Sequence, residues 1–348
     1  MGAPITMSRE AQADSGLGHL QGFIEALEKL EEENTLSNGD ILTKEPIGVC
    51  GLITPWNWPI NQITLKVLPA IACGCTCILK PSEHTPMTSV LVKEIWDETV
   101  GLKDSFKILI GSGEIGNLIV ESPDIDIVCS TGSTLVGKKI AEKCATTLKP
   151  HILELGGKDP MIVLEDANIN RSVESALFGG LSNAGQTCIS TEEVFIENPI
   201  YEKFVEQISN RIKEIKSGDK DSSDLGSMIM PQNTEKVNRH VKEAEQSCRV
   251  IRGEKDAQDV FIAPTLILDP NSNLSIVNEE TFGPVLSLRP FSNEDELLDM
   301  LHKTGYGLSA SIFGKNKSRL RRILKQIKTG NVSINDVMTH YGIASIPF

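Results

Sequence analysis

The chain has 348 residues, 40% hydrophobic and 23% charged, enough to bury a large core and to favour two or three domains over one. Its formal charge of -13 would repel a phosphate backbone and its basic residues are scattered, so no nucleic-acid partner is expected. No apolar run is long enough to span a bilayer, and the eight cysteines include no CxxC pair, so the sequence predicts no membrane partner and a reducing, cytoplasmic location.

Residues 14–34 place Leu17, Leu20, Phe23 or Ile24, Leu27 and Leu30 at helical spacing behind Asp14 or Ser15 as a cap, which predicts an amphipathic helix. The polar run EEENTLSNGD follows, with an Asn-Gly turn signal. From Ile47 to Cys129 the short apolar runs IGVCGLI, CTCILK, FKILI and DIDIVC alternate with segments of helical period around 60–71, 88–96 and 114–119. Parallel strands need crossovers of a dozen or more residues, usually helices, so the alternation predicts an α/β fold with a parallel sheet. A second α/β unit starts near Leu155, with a strand at MIVL, a helix at 168–181 and further alternation to Ile334. The glycine pair of LELGGK stands where the chain would pass from one unit to the next.

Ligands of open α/β sheets bind beyond the carboxyl ends of the strands, which directs attention to TPWNWP, PSE, GSGEIG and STGSTLVG, each just after an apolar run. GSGEIG gives Gly111, Gly113 and Gly116 the spacing of a dinucleotide turn, although such a turn is often only a tight connection. STGSTLVG puts Ser130, Thr131, Gly132 and Ser133 at a predicted helix start, suited to a phosphate or to ordinary capping. Lys80 and Glu83 read either as a surface pair or as a site where the carboxylate accepts from ribose hydroxyls. Packing explains Trp56 and Trp58 but not Asn57 between them. Cys73, Cys75 and Cys77 alternate and would share one strand face, but no further Cys or His stands at a zinc-ligand spacing, so no metal is predicted.

Cys188, in GQTC, follows a helix rich in small residues, and a cysteine in a partly exposed turn is a candidate nucleophile. No histidine spacing marks a base for it, so a carboxylate is needed. Glu154 is the acid inside the apolar, glycine-rich ILELGG, where burial would raise its pKa; a salt-bridged structural glutamate is the alternative.

Taken in order, TPWNWP, LKPSE, STGST, LELGGKDP, NAGQTC and NEETFGPV resemble the motifs of the aldehyde dehydrogenase family, and the similarity runs along the whole chain. The resemblance implies a Rossmann-like, parallel-sheet NAD(P)-binding domain over 1–154 and a second α/β catalytic domain over 155–348. Within the first, 32–46 would be part of an oligomerisation hairpin lacking its partner strand. It also implies Cys188 as nucleophile, Glu154 as general base, Asn57 with the backbone N–H of Cys188 as oxyanion hole, and Lys66 as a polar position near the reaction. For NAD, or NADP, it implies contacts from Thr54, Pro55, Trp56, Ser82, Gly113, Gly116, Leu155 and Gly156. Lys80 and Glu83 would hold the adenosine ribose, Thr131, Gly132 and Ser133 the pyrophosphate, and Glu280 and Phe282 the nicotinamide half.

The implied reaction oxidises a small-molecule aldehyde to a carboxylic acid through a thiohemiacetal and a thioester on Cys188, in a full-length form that is a homo-oligomer. Trp58, Leu65, Thr187, Ile189 and Tyr341 are expected to line a neutral or hydrophobic substrate, and Glu83 tilts the choice toward NAD by repelling a 2′-phosphate. The similarity begins inside the family pattern and stops at IASIPF before its end, so both domains are expected to be incomplete. Two alternatives remain: a coenzyme A-acylating relative, against which Glu154 argues, and a catalytically impaired relative acting as an interaction protein.

Overall fold

A computed structural model describes residues 2–99, 102, 104–219 and 222–338; Tyr341 and the closing IASIPF lie outside the described residues. The chain divides into two compact units, an N-terminal one within 8–155 and a C-terminal one from 156 onward that also takes in residues 2–7. Among the described residues no helix is long and apolar enough to cross a membrane.

The N-terminal unit opens with a helix that begins earlier than the sequence predicts. Asp14–Leu27 is preceded by a wide helical turn at Ser8–Ala13, because Ser15 Oγ donates back to the Gln12 carbonyl instead of capping. Its leucine stripe does not make the packing contact: Leu17 is 57% exposed, while Gly16 and His19 are buried and the His19 ring bonds Asn61. Next come β1 (Glu33–Thr35) and β2 (Ile41–Thr43), which pair antiparallel around the Asn38-Gly39 turn. The polar run therefore pairs with itself, which corrects the expectation of a hairpin without its partner strand.

The main sheet contains β3 (Val49–Ile53), β4 (Thr76–Lys80), β5 (Phe106–Ile108), β6 (Ile127–Thr131) and β7 (His151–Glu154). All run parallel in the order β5-β4-β3-β6-β7, with helices at Pro59–Ala72, Pro86–Thr99, Gly113–Glu121 and Thr134–Ala145 between successive strands. The chain moves outward from β3 to β5 and then returns to the other side of β3, so the order reverses between β3 and β6, where such sheets open a crevice for ligands. Cys75 and Cys77 are buried in this unit, but Cys73 ends a helix and is exposed, so the three do not share a strand face. Burial pushes the Cys77 thiol up to about 12, in keeping with a packing role.

The C-terminal unit contains β8 (Asp159–Val163), β9 (Thr191–Glu197), β10 (Lys216–Ser217), β11 (Arg249–Arg252), β12 (Glu254–Lys255), β13 (Thr265–Leu268), β14 (Val285–Phe291), β15 (Ser309–Phe313) and β16 (Asn331–Ile334). Seven of these form one sheet in the order β11-β13-β14-β9-β8-β15-β16, antiparallel only between β11 and β13; β10 and β12 form a separate short pair. A parallel strand covered on both faces reads as a continuous apolar run, and β8, β9, β14 and β15 are buried almost throughout. Met161, Val163, Val194 and Ile196 pack into the core on one face, and Ile162, Phe195 and Ile312 into the core on the other. Ile189, expected to line the substrate, is 5% exposed and packs within the first of these cores, against which Cys188 also packs. Completely buried β9 nevertheless carries Glu192 and Glu193 in its TEEVFIE, and two carboxylates inside a core need specific partners.

Candidate active site

In the N-terminal unit the sequence candidates gather at the carboxyl edge of the sheet. Thr54, just after β3, donates its backbone N–H to the Lys80 carbonyl at 3.1 Å, so the TPWN and KPSE turns leave adjacent strands side by side. Gly132 N–H donates to the Glu154 carbonyl at 3.0 Å, joining the ends of β6 and β7 in the same way. Asn57 is buried, Pro55 and Trp56 are half-buried, and Trp58 starts the helix Pro59–Ala72. From that helix Lys66 donates to Thr131 Oγ1 at 2.5 Å and to Gln62 Oε1 at 3.4 Å. Leu65 on the same helix is half-buried.

Lys80 is no surface residue: its side chain is 7% exposed and its ammonium meets Glu83 at 3.1 Å, while Glu83 is 42% exposed. Although burial opposes it, a backbone hydrogen bond and the Lys80 ammonium hold the Glu83 carboxyl below its usual value. Ser82 is buried beside them, and its hydroxyl accepts from His84 N–H. Gly113 opens a helix capped by Ser112, and Gly116, one turn on, faces Lys80. Ser133 caps the next helix by accepting from Val136 N–H. The four-residue helix start expected at STGS is shorter, since Ser130 and Thr131 still belong to β6. Burial raises the pKa of Glu154, with the Lys66 charge opposing it in part.

The C-terminal unit brings together Cys188, Gly156, Glu280 and Phe282. After the helix Ile169–Leu181 the chain enters a turn in which Asn183, Ala184 and Gly185 all have positive φ, at 55°, 54° and 71°. Two of these are not glycine, a strain that persists only when its surroundings impose it. Gln186 supplies that constraint. Its side-chain amide donates to the carbonyls of Asn183 and Ser227 and accepts from Ile229 N–H, while Asn183 Nδ2 donates to the Gln186 carbonyl. Gly185 is needed here twice over, for its φ and because a Cβ would lie 2.1 Å from the Gly283 carbonyl oxygen. The turn delivers Thr187, buried, and Cys188, half-buried.

A second glycine makes the next contact. A Cβ on Gly157 would lie 2.2 Å from the Cys188 carbonyl oxygen, and its N–H donates to Glu280 Oε1 at 3.1 Å. Burial and the Glu192 charge push the Glu280 carboxyl up to about 7 despite the Gly157 N–H and the charges of Lys236 and Lys158. Phe282 has φ +57, a left-handed conformation rare for a bulky residue.

Comparison with known proteins decides what this arrangement is related to. A family model described as Aldehyde dehydrogenase family matches residues 1–348. The chain belongs to the aldehyde dehydrogenase family. The solved aldehyde dehydrogenase of Bartonella henselae is 34% identical with a TM-score of 0.92, over 96% of this chain and 72% of that one. An Escherichia coli structure described as an NADP-dependent enzyme is 31% identical with a TM-score of 0.92, over 97% of this chain and 72% of that one. The betaine aldehyde dehydrogenase of Staphylococcus aureus in complex with NAD+ is 30% identical with a TM-score of 0.86, over 92% of this chain and 67% of that one. The aldehyde dehydrogenase fold expected from the six motifs is thus the fold observed.

Several well-placed residues of this family member carry no assignment in the sequence reasoning. Lys158, with a side chain 0% exposed, donates to Glu192 Oε2 at 2.8 Å, and Glu193 meets Arg289 at 3.1 Å. Removing one partner of so buried a pair typically costs about 3–5 kcal/mol. Buried His240 lies within 3.3 Å of both Thr281 Oγ1 and Glu279 Oε2, and burial lowers its pKa. The signal for Glu192 and Glu193 was present as two acids opening an apolar strand, but their partners are far away in sequence.

Proposed function

We propose that the chain oxidises an aldehyde to a carboxylic acid, with Cys188 as nucleophile and NAD or NADP as hydride acceptor, residues 8–155 forming the cofactor domain and residues from 156 onward the catalytic domain. The observation that carries this reading is the strained turn of residues 183–185, which Gln186 locks and which leads into the half-buried Cys188, whose carbonyl lies against Gly157, the residue that donates to Glu280. Backbone strain of this kind, here at Asn183 and Ala184 a few residues before Cys188, clusters at functional sites.

The residues present fit a dinucleotide. Positions where a Cβ would stand on Gly113 and Gly132 meet nothing within 4 Å, which leaves space for phosphate oxygens beside two helix starts, while the Gly132 N–H itself is donated to the Glu154 carbonyl. Lys80 and Glu83 supply a buried cation and an ionised acceptor for ribose hydroxyls, with Thr54, Pro55, Trp56 and Ser82 forming the adjoining turns. We assign Gly116, Thr131 and Ser133 to the same cradle, and Leu155, Gly156, Glu280 and Phe282 to the nicotinamide half. Held by these residues, the cofactor would supply the hydride acceptor. Glu83 disfavours a 2′-phosphate, which supports NAD over NADP.

The thiolate of Cys188 adds to the aldehyde carbonyl, and the amide of Asn57 donates to the oxygen on which charge develops. Loss of hydride from the resulting thiohemiacetal leaves a thioester on Cys188. Glu154, kept basic enough by its raised pKa, removes a proton from water as it attacks the thioester carbonyl, and the Cys188 thiolate departs. Lys66, hydrogen-bonded to Thr131, orders the polar groups beside Glu154. Trp58, Leu65 and Thr187 remain the proposed lining for an apolar or neutral substrate. The hairpin of β1 and β2, exposed at every position, is proposed to bridge subunits of a homo-oligomer.

The test is a panel of aldehydes with NAD and with NADP, followed by the absorbance of the reduced cofactor. Aldehyde-dependent reduction that disappears in Cys188→Ala is expected. Reduction that persists in that variant would refute the assignment.

A further inference from the structure

Glu192 occupies an irregular position in β9. In the pairing with β8, Thr191 stands opposite Asp159 and Glu193 opposite Pro160, so Glu192 is the extra residue of a bulge. Bulges re-aim a side chain out of the regular pleat and recur beside active sites. Here the carboxylate turns to the segment Glu279–Phe282. It accepts from Thr281 N–H at 2.9 and 2.8 Å, through its two oxygens, and from Phe282 N–H at 2.9 Å. Two successive amides directed at one anion form a compact, directional grip on a backbone.

Lys158 grips the same segment from its other end. Its ammonium donates to Glu192 Oε2 at 2.8 Å and to the Glu279 carbonyl at 2.9 Å. The preceding residue, Gly157, donates its N–H to the Glu280 carboxylate. Residues 279 to 282 are therefore held at each position by Gly157, Lys158 or Glu192, and Phe282 is held in a left-handed conformation it would not adopt unaided. A buried ion pair is a poor source of stability compared with apolar residues of equal volume, so placing one here is better accounted for by the geometry it imposes.

We propose that Glu192 and Lys158 form a positioning pair that fixes the Glu279–Phe282 backbone, and with it the Glu280 and Phe282 side chains, for the nicotinamide half of the cofactor. The proposal rests on the role given above to Glu280 and Phe282. Neither Glu192 nor Lys158 is a catalytic residue in this account; each acts through the loop.

The test compares wild type, Glu192→Ala, Glu192→Gln and Lys158→Met by calorimetric titration with NAD and with ADP-ribose, which lacks the nicotinamide. Amide hydrogen exchange of the cofactor-free chain is measured in parallel. Glu192→Ala and Lys158→Met should weaken NAD about tenfold, leave ADP-ribose within about twofold, and speed exchange at Thr281 and Phe282. Glu192→Gln, whose amide oxygen still accepts from both N–H groups, should regain part of the lost NAD affinity and keeps the test open if the alanine variant does not fold. Equal weakening of NAD and ADP-ribose, or NAD binding unchanged in all three variants, would overturn the positioning role alone. A wild-type chain that binds neither NAD nor NADP would overturn the proposed function, and the ligand of this loop with it.

Discussion

The carboxyl edge of the β3–β7 sheet and the turn around Cys188 hold their candidate residues by opposite means. At the sheet edge the groups stand on strand ends and helix starts, tied by one or two hydrogen bonds each, with open space at Gly113 and Gly132. Before Cys188 the backbone is strained, Gly157 and Gly185 are in near-contact with neighbouring backbone, and buried hydrogen bonds form two sets, one on Gln186 and one on Lys158 and Glu192. The difference teaches a division of labour: the first region has room beside its helix starts, whereas the second fixes Cys188 and its neighbours by tight packing.

The largest expected effect breaks the proposed chemistry at the open edge. Asn57→Ala should lower kcat by a factor of about 100 to 1000 with cofactor affinity retained; a tenfold loss or less would remove Asn57 from the oxyanion role.

Placing the same substitution in both regions sharpens the contrast. Gly185→Ala meets the Gly283 carbonyl and a φ of +71, and should cost on the order of 3 kcal/mol in urea unfolding. Gly132→Ala has nothing within 4 Å and should stay within about 1 kcal/mol. Similar losses at the two sites would contradict the division.

A smaller effect depends on pH. The folded Glu280 carboxyl is raised to about 7 from 4.5, so the folded state binds the extra proton between those values and wild type loses stability as pH rises through that window. Relative to wild type, Glu280→Gln should therefore gain on the order of 3 kcal/mol between pH 4.5 and 7 and stay level above it. An equal difference at pH 5 and pH 8 would mean that the buried charge is not the cause.

The smallest change falls at the exposed end of the open edge. Glu83→Gln should improve NADP relative to NAD by a few-fold, worth about 1 kcal/mol or less for so exposed a charge; an unchanged ratio would discount Glu83 as the selector.

The two regions also differ in how far they could be read from sequence. Each site at the sheet edge follows its own strand directly, so TPWN, KPSE and GSGEIG announce their place through local periodicity. Around Cys188 the determinants are long-range: Glu192 meets Thr281 across 89 residues, and Gly185 meets Gly283 across a similar span, so neither partner is visible in a local window. Local signals also misled in two places. Ser15 has the chemistry of a helix cap but spends its hydroxyl on Gln12 within a longer helix, and Ser130 and Thr131 continue a strand that their small, polar character hides.

The most direct test of the thioester chemistry is rapid mixing of Glu154→Gln with saturating NAD and aldehyde, with mass analysis of the peptide that carries Cys188. A burst of reduced cofactor of about one equivalent per chain, then a stall with an acyl group on Cys188, is the expected result. Steady turnover at the wild-type rate, or a burst that leaves Cys188 unmodified, would contradict it.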